Sequence, residues 1–225
     1  MLVYAHRGLS GRFAENTLLA FREALAVGVD GIELDVHATA DGVPVVIHDR
    51  DVSRTTSGSG KVDEMSLATL QSLDAGSGER VPALSEVLQL VGDAVHLDIE
   101  IKGLDAERAT LDLLAAFPDA RWAISSFNWD ILCRIRLLDA NAELWPLTEH
   151  VDDALMFTSA ELASPAVSLW AGDYTETHAA ALRDAGLRAV IWTVNDTAQA
   201  AQMRDRGAWA LCTDVPDHIL RVLRD

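Results

Sequence analysis

The sequence predicts an α/β protein folded as a TIM-type (β/α)8 barrel, with a short insertion after its second strand. Three observations carry this expectation. Eight short apolar runs alternate with helical stretches along 225 residues, the pattern and the length of one parallel barrel. Polar residues collect at the carboxyl ends of six of those runs, where barrel enzymes place their sites. No glycine-rich dinucleotide fingerprint follows any early strand, so a doubly wound sheet loses its usual cofactor argument. Residues 1–225 are therefore read as a single domain.

Taken in order, Leu2 to Ala5 forms the first strand and ends at His6-Arg7-Gly8. Glu15-Asn16-Thr17 opens a helix that runs through about Val27 and is stopped by Gly28. Val29 to His37 is the second strand. Alternate strand side chains share a face, so Glu33, Asp35 and His37 point one way and Ile32, Leu34 and Val36 the other. Asp41-Gly42 supplies a turn with positive φ, and Pro44 to Ile47 returns as a hairpin strand that delivers His48-Asp49. The stretch from Arg50 to Arg80, rich in Ser, Thr and Gly, is too long for an ordinary connection; it carries one helix, Ser66 to Leu73.

From Pro82 the alternation is regular. Helices are expected at Leu84–Val91, Asp105–Phe117, Trp129–Leu138, Asp152–Ala160, Thr175–Ala185, Thr197–Arg206 and Pro216–Leu223. The intervening strands are Ala94–Ile101, Trp122–Ser126, Ala142–Leu147, Val167–Ala171, Leu187–Val194 and Ala208–Cys212.

The formal charge of −17 argues against a nucleic-acid partner or a stable electrostatic grip on an anionic membrane. An anionic substrate would have to be held by local cations and a metal. The amino terminus lacks the pattern of a signal segment and no apolar run is long enough to span a bilayer, which points to the cytoplasm. Cys133 and Cys212 lie far apart, and neither a disulfide framework nor a zinc site is indicated.

The residues alternating with Glu33 and Asp35, namely Ile32, Leu34 and Val36, are apolar, as in a strand buried on both sides, so these acids need a counter-charge. Glu33, Asp35 and Glu100 offer oxygen ligands without cysteine, which suits Mg2+ or Ca2+ better than zinc. Glu100 also stands two residues before Lys102 on the same face, and an ion pair between them is compatible with a metal nearby. Lys102 and Arg7 make sense beside a metal if a phosphate lies between. His6 and His48 reach the same mouth from different strands and suit general acid and base roles. Together these groups suit cleavage of a phosphodiester. A non-catalytic barrel that binds a metal and a phosphodiester would leave the two histidines unexplained.

An ordered set of motifs spans nearly the whole chain: His6-Arg7-Gly8, Glu15-Asn16-Thr17, Glu33-Leu34-Asp35-Val36, Asp41-Gly42 leading to His48-Asp49, Arg54-Thr55-Thr56, Leu73-Asp74-Ala75-Gly76, Glu100-Ile101-Lys102, Ser126-Phe127, Trp192-Thr193-Val194-Asn195, and Thr213-Asp214 with Pro216. In these the chain resembles the glycerophosphodiester phosphodiesterase family, bacterial cytosolic type. The resemblance implies a barrel with Arg50–Arg80 as its insertion and a divalent cation on Glu33, Asp35 and Glu100. It implies His6 and His48 as the acid/base pair, Arg7 and Lys102 holding the phosphate, Glu15 supporting the metal and glycerol side, and Trp192 lining the pocket. The implied products are sn-glycerol 3-phosphate and an alcohol, released in glycerophospholipid turnover by a monomer or homodimer.

Two stretches depart from the family pattern, Leu169–Tyr174 and Trp209-Ala210. Phe127, Trp129, Trp145, Trp170 and Tyr174 are expected in the core or at the rim rather than as a lipid-entry surface. Related phospholipase chemistry on the same barrel is the competing enzyme reading, and the charge weighs against it.

Overall fold

The computed structural model describes residues 1–103 and 106–224. The chain runs β1 (Leu2–His6), α1 (Leu18–Ala26), β2 (Gly31–Ala38), β3 (Pro44–Val46), α2 (Leu67–Gln71), α3 (Leu84–Val91), β4 (His96–Ile101), α4 (Glu107–Ala115), β5 (Arg121–Ser126), α5 (Trp129–Leu138), β6 (Leu144–Thr148), α6 (Asp153–Glu161), β7 (Ala166–Trp170), α7 (Glu176–Asp184), β8 (Arg188–Trp192), α8 (Thr197–Asp205), β9 (Ala210–Thr213) and α9 (Pro216–Arg224). All strands but β3 pair in parallel, and β1 pairs with both β2 and β9, which closes the barrel. The short β3 pairs antiparallel with β2 and forms the expected hairpin, with Gly42 at φ 77 in its turn. Asp105, expected in the helix before Phe117, lies outside the described residues.

Strand alternation sorts the side chains into two cores. Val3, Ala5, Ile32, Leu34, Val36, Leu97, Ile99 and Ile101 face outward into the layer covered by the helices. Tyr4 and Trp145 face inward, with Ala123, Ala166 and Ala210 between them. The two rings meet edge-on with centroids 6.1 Å apart. Small residues are required beside them: a Cβ on Gly31 would lie 2.3 Å from Tyr4 Cε1. Large and small residues from neighbouring strands thus fill the amino-terminal half of the barrel, and the opposite half is left for polar groups.

Two expectations need correction. The helix expected from Glu15 begins only at Leu18, with Thr17 as its cap accepting from Ala20 N at 3.2 Å. Asn16 turns the chain with φ 57 and donates its side-chain amide to Asp35 Oδ2 at 2.8 Å, so Glu15 and Asn16 belong to a loop over the barrel mouth. The helix expected over Ser66–Leu73 shrinks to Leu67–Gln71, and single 3₁₀ turns form at Val52–Arg54 and Val62–Glu64. The insertion is nonetheless built on its own core, in which Val52, Val62, Leu70, Ala75 and Val81 pack with Val45 and Ile47 of the hairpin.

Candidate active site

The carboxyl ends of the strands surround a solvent-accessible cavity of about 130 Å³. His6, Arg7, Glu33, His48, Glu100, Lys102 and Trp192 line it, together with Asp98, Ser125 and Phe127. Of the residues singled out in the sequence, these are brought together; Asp35 lies fully buried behind them.

Parallel register sets the acids side by side. Asp35 pairs with Glu100 across β2 and β4, and Glu33 with Asp98. One oxygen from each of Glu33, Asp35 and Glu100 lies within 4.8 Å of the others. Lys102 Nζ approaches Glu100 Oε1 at 2.7 Å and Asp35 Oδ1 at 3.2 Å, while Arg7 Nε stands 3.1 Å from Asp35 Oδ2. Both the expected Glu100–Lys102 ion pair and a three-carboxylate cluster are therefore present. Burial, with Asp35 and Glu100 as neighbours, pushes the Glu33 carboxyl well above the usual range. Burial raises Asp35 too, but Lys102 and Arg7 together outweigh it and hold that carboxyl low. Glu100 is pushed up to about 7, by burial against the pull of Lys102. Asp35 Oδ1, though near Lys102, has no hydrogen-bond partner among the described residues. A buried acidic cluster with an unsatisfied oxygen and only oxygen donors fits a hard divalent cation.

Each histidine is oriented by a carboxylate. His6 Nδ1 lies 2.6 Å from Asp214 Oδ1, and its Nε2 stands 3.9 Å from Glu33 Oε2. His48 Nδ1 lies 2.5 Å from Asp49 Oδ1, and the His48 carbonyl is met by His37 Nε2 at 3.0 Å. Burial lowers the His48 pKa below the ordinary imidazole value, against the pull of Asp35 and Asp49. Asp214 is held at about 2, because hydrogen bonds from His6, Asn195 and Ser10 overcome its burial.

Glu15 is placed away from the cavity wall. Its carboxylate lies between Arg7 Nη1, at 2.9 Å, and the guanidinium of Arg54. Trp192 meets Phe127 edge-on at 5.5 Å, and its buried Nε1 has no hydrogen-bond partner among the described residues. Trp145 and Tyr174 are buried as expected, whereas Phe127 and Trp170 are exposed. The sequence pattern alone assigns no site role to Asp214, Asp49, Asn16 or Arg54. The signal for the first two was at hand, since Asp49 follows His48 and Asp214 closes the last strand.

Carboxylates, cations and carboxylate-oriented histidines at the mouth of a parallel barrel describe a hydrolase of phosphate esters. Comparison with known proteins narrows the class. Residues 6–218 match the model of the glycerophosphoryl diester phosphodiesterase family. A glycerophosphodiester phosphodiesterase of Bacillus altitudinis is 33% identical over 241 residues, covering 98% of this chain and 97% of the relative. A phosphodiesterase of Oleispira antarctica, solved with the product sn-glycerol 3-phosphate, superposes with a TM-score of 0.96 at 27% identity, over 100% of this chain and 97% of its own. The enzyme of Thermotoga maritima gives a TM-score of 0.85 at 25% identity, over 99% and 98%. The chain belongs to the glycerophosphoryl diester phosphodiesterase family.

Proposed function

We propose that this enzyme hydrolyses glycerophosphodiesters to sn-glycerol 3-phosphate and an alcohol, with a divalent cation and two histidines, in glycerophospholipid turnover. The observation that carries the reading is the sandwich of cations and histidines around a buried acidic cluster at a single cavity. Glu33, Asp35 and Glu100 would hold Mg2+ or Ca2+, which when bound polarises phosphoryl oxygens. Lys102 and Arg7 would then be released from neutralising the acids alone and hold the phosphate oxygens.

With carboxylates on Nδ1, both imidazoles keep Nε2 as the proton-transferring atom. In this reading His6 takes the proton of the attacking oxygen, and His48 delivers one to the leaving alcohol. The attacking group is the neighbouring glycerol hydroxyl, through a cyclic phosphate, or water. The lowered pKa of His48 makes its imidazolium a stronger acid. Trp192 offers its ring to the glycerol part.

The test is release of glycerol 3-phosphate from glycerophosphocholine and glycerophosphoethanolamine with Mg2+, with Ca2+ and after EDTA. Metal-dependent release is expected; no release with either cation would overturn the reading. Exposed Phe127 and Trp170 at strand ends favour one second reading, a lysophospholipid whose chain lies on them. Faster turnover of lysophosphatidylcholine than of glycerophosphocholine would select it.

A further inference from the structure

We propose that Arg54, on the insertion, is a positioning residue for both Arg7 and His48, so that the insertion sets the geometry of phosphate binding and proton delivery from outside the barrel. The proposal rests on the roles given above to those two residues.

One guanidinium carries both links. Arg54 Nη1 and Nη2 donate to Glu15 Oε2 and Oε1 at 2.9 and 2.8 Å. Glu15 Oε1 also accepts from Arg7 Nη1 at 2.9 Å. Along its other edge, Arg54 Nε donates to Asp49 Oδ2 and Nη2 to Asp49 Oδ1, the latter at 3.2 Å. The same Asp49 Oδ1 is the partner of His48 Nδ1. Each carboxylate is thus shared between Arg54 and one cavity residue, and Arg54 itself is not part of the cavity wall.

Such a bridge needs a planar fork with donors on two edges, which lysine lacks. The fork is delivered by a 3₁₀ turn whose first residue, Val52, is buried in the insertion's own core and whose cap is Asp51, accepting from Ser53 N at 2.9 Å. Without Arg54, the Glu15 and Asp49 carboxylates would each keep a single side-chain partner among the described residues, Arg7 and His48 respectively. Asp49 would then hold the His48 proton more tightly, and Arg7 would lose the fixed side of its clamp. The other titratable and charged groups facing His48 are Asp35 and His37 on β2, Lys102 beyond β4 and Arg7 beyond β1. Asp35, His37 and Lys102 make no contact with Arg54, and Arg7 is reached by an Arg54 variant through Glu15.

Arg54 has 46% of its side chain exposed, so Arg54→Met removes no core packing. The experiment compares wild type, R54M, R54K and R54Q in Mg2+ by kcat and KM on glycerophosphocholine. It also follows the His48 imidazole titration by NMR in metal-free protein and thermal unfolding. We expect R54M to lose about 10- to 100-fold in kcat, the scale at which misplacing a reacting group acts, with KM raised and the melting temperature nearly unchanged. The His48 titration should move to higher pH, and R54K should recover only part of the loss. D49N should reproduce the kcat loss and E15Q the KM rise, and R54M added to D49N should cost little further kcat. Wild-type kinetics with an unmoved His48 titration in folded R54M would overturn the proposal. So would a kcat loss that only tracks the unfolded fraction, with R54Q behaving as wild type. If wild type releases no glycerol 3-phosphate, the functional reading fails, while the His48 titration still decides whether Arg54 acts on His48.

Discussion

His48 and His6 are paired alike, each with a carboxylate on Nδ1, but their partners are supplied differently. Asp49 is the next residue in sequence, while Asp214 is separated from His6 by 208 positions. Replacing His48 with Ala should leave substrate binding and cost about 10²- to 10⁴-fold in turnover of alkyl diesters, the usual contribution of a general acid. A diester with a nitrophenolate leaving group needs no proton, so H48A should keep most of its rate there; equal losses on both substrates would contradict the acid role. Asp214 makes a pH prediction. Its folded pKa of about 2 lies below the ordinary aspartate value near 3.9, so the unfolded chain binds more protons between those values. Its stabilisation is present above about pH 4 and is lost as pH falls toward 2. D214N should therefore lower the melting temperature at pH 7 and narrow the gap from wild type as acid denaturation is approached. The cavity acids and histidines were legible because strand ends and alternation place them without any knowledge of contacts. The bridging role of Arg54 was not, since it depends on two carboxylates, Glu15 and Asp49, brought together only by the tertiary fold.

At the scale of elements, the sequence was informative wherever a repeat governed the structure. Period-two alternation put Glu33 and Asp35 on one face and Ile32 and Leu34 on the other, and the closed barrel turns the acids inward. Gly and Asp in the hairpin turn were likewise enough to fold β3 back on β2. The start of α1 was misplaced because Glu15-Asn16-Thr17 looks like the opening of a helix, yet Asn16 is drawn off by Asp35 and leaves capping to Thr17. The insertion has no period to read; its order comes from a small core and from pairs such as Arg50 with Asp63. The inward edge-on pair of Tyr4 and Trp145 fills the amino-terminal half of the barrel. Trp145 is fully buried, and Trp145→Ala should cost about 3–5 kcal/mol by chemical denaturation, because the surrounding strands cannot collapse into the space. A loss under about 1 kcal/mol would mean the barrel interior is loosely packed there.

For the molecule as a whole, 35 acidic against 18 basic residues leave a net charge of −17, and three of the acids are buried together. Any divalent cation they bind stabilises the folded state by mass action, about 2.7 kcal/mol at a hundredfold excess over Kd. The melting temperature should rise with added Mg2+ or Ca2+ and fall with EDTA, and Glu100→Gln should remove most of that response; an identical response in E100Q would exclude Glu100 as a ligand. The closed barrel also has a temporal consequence. Every acid of the cluster has left the ribosome once residue 100 has, but His6 meets Asp214 only when the last strand docks on the first. A growing chain therefore carries the three acids for about half of its synthesis before His6 can meet Asp214. The order of translation thus separates synthesis of the acids from orientation of His6, and that orientation arrives with ring closure.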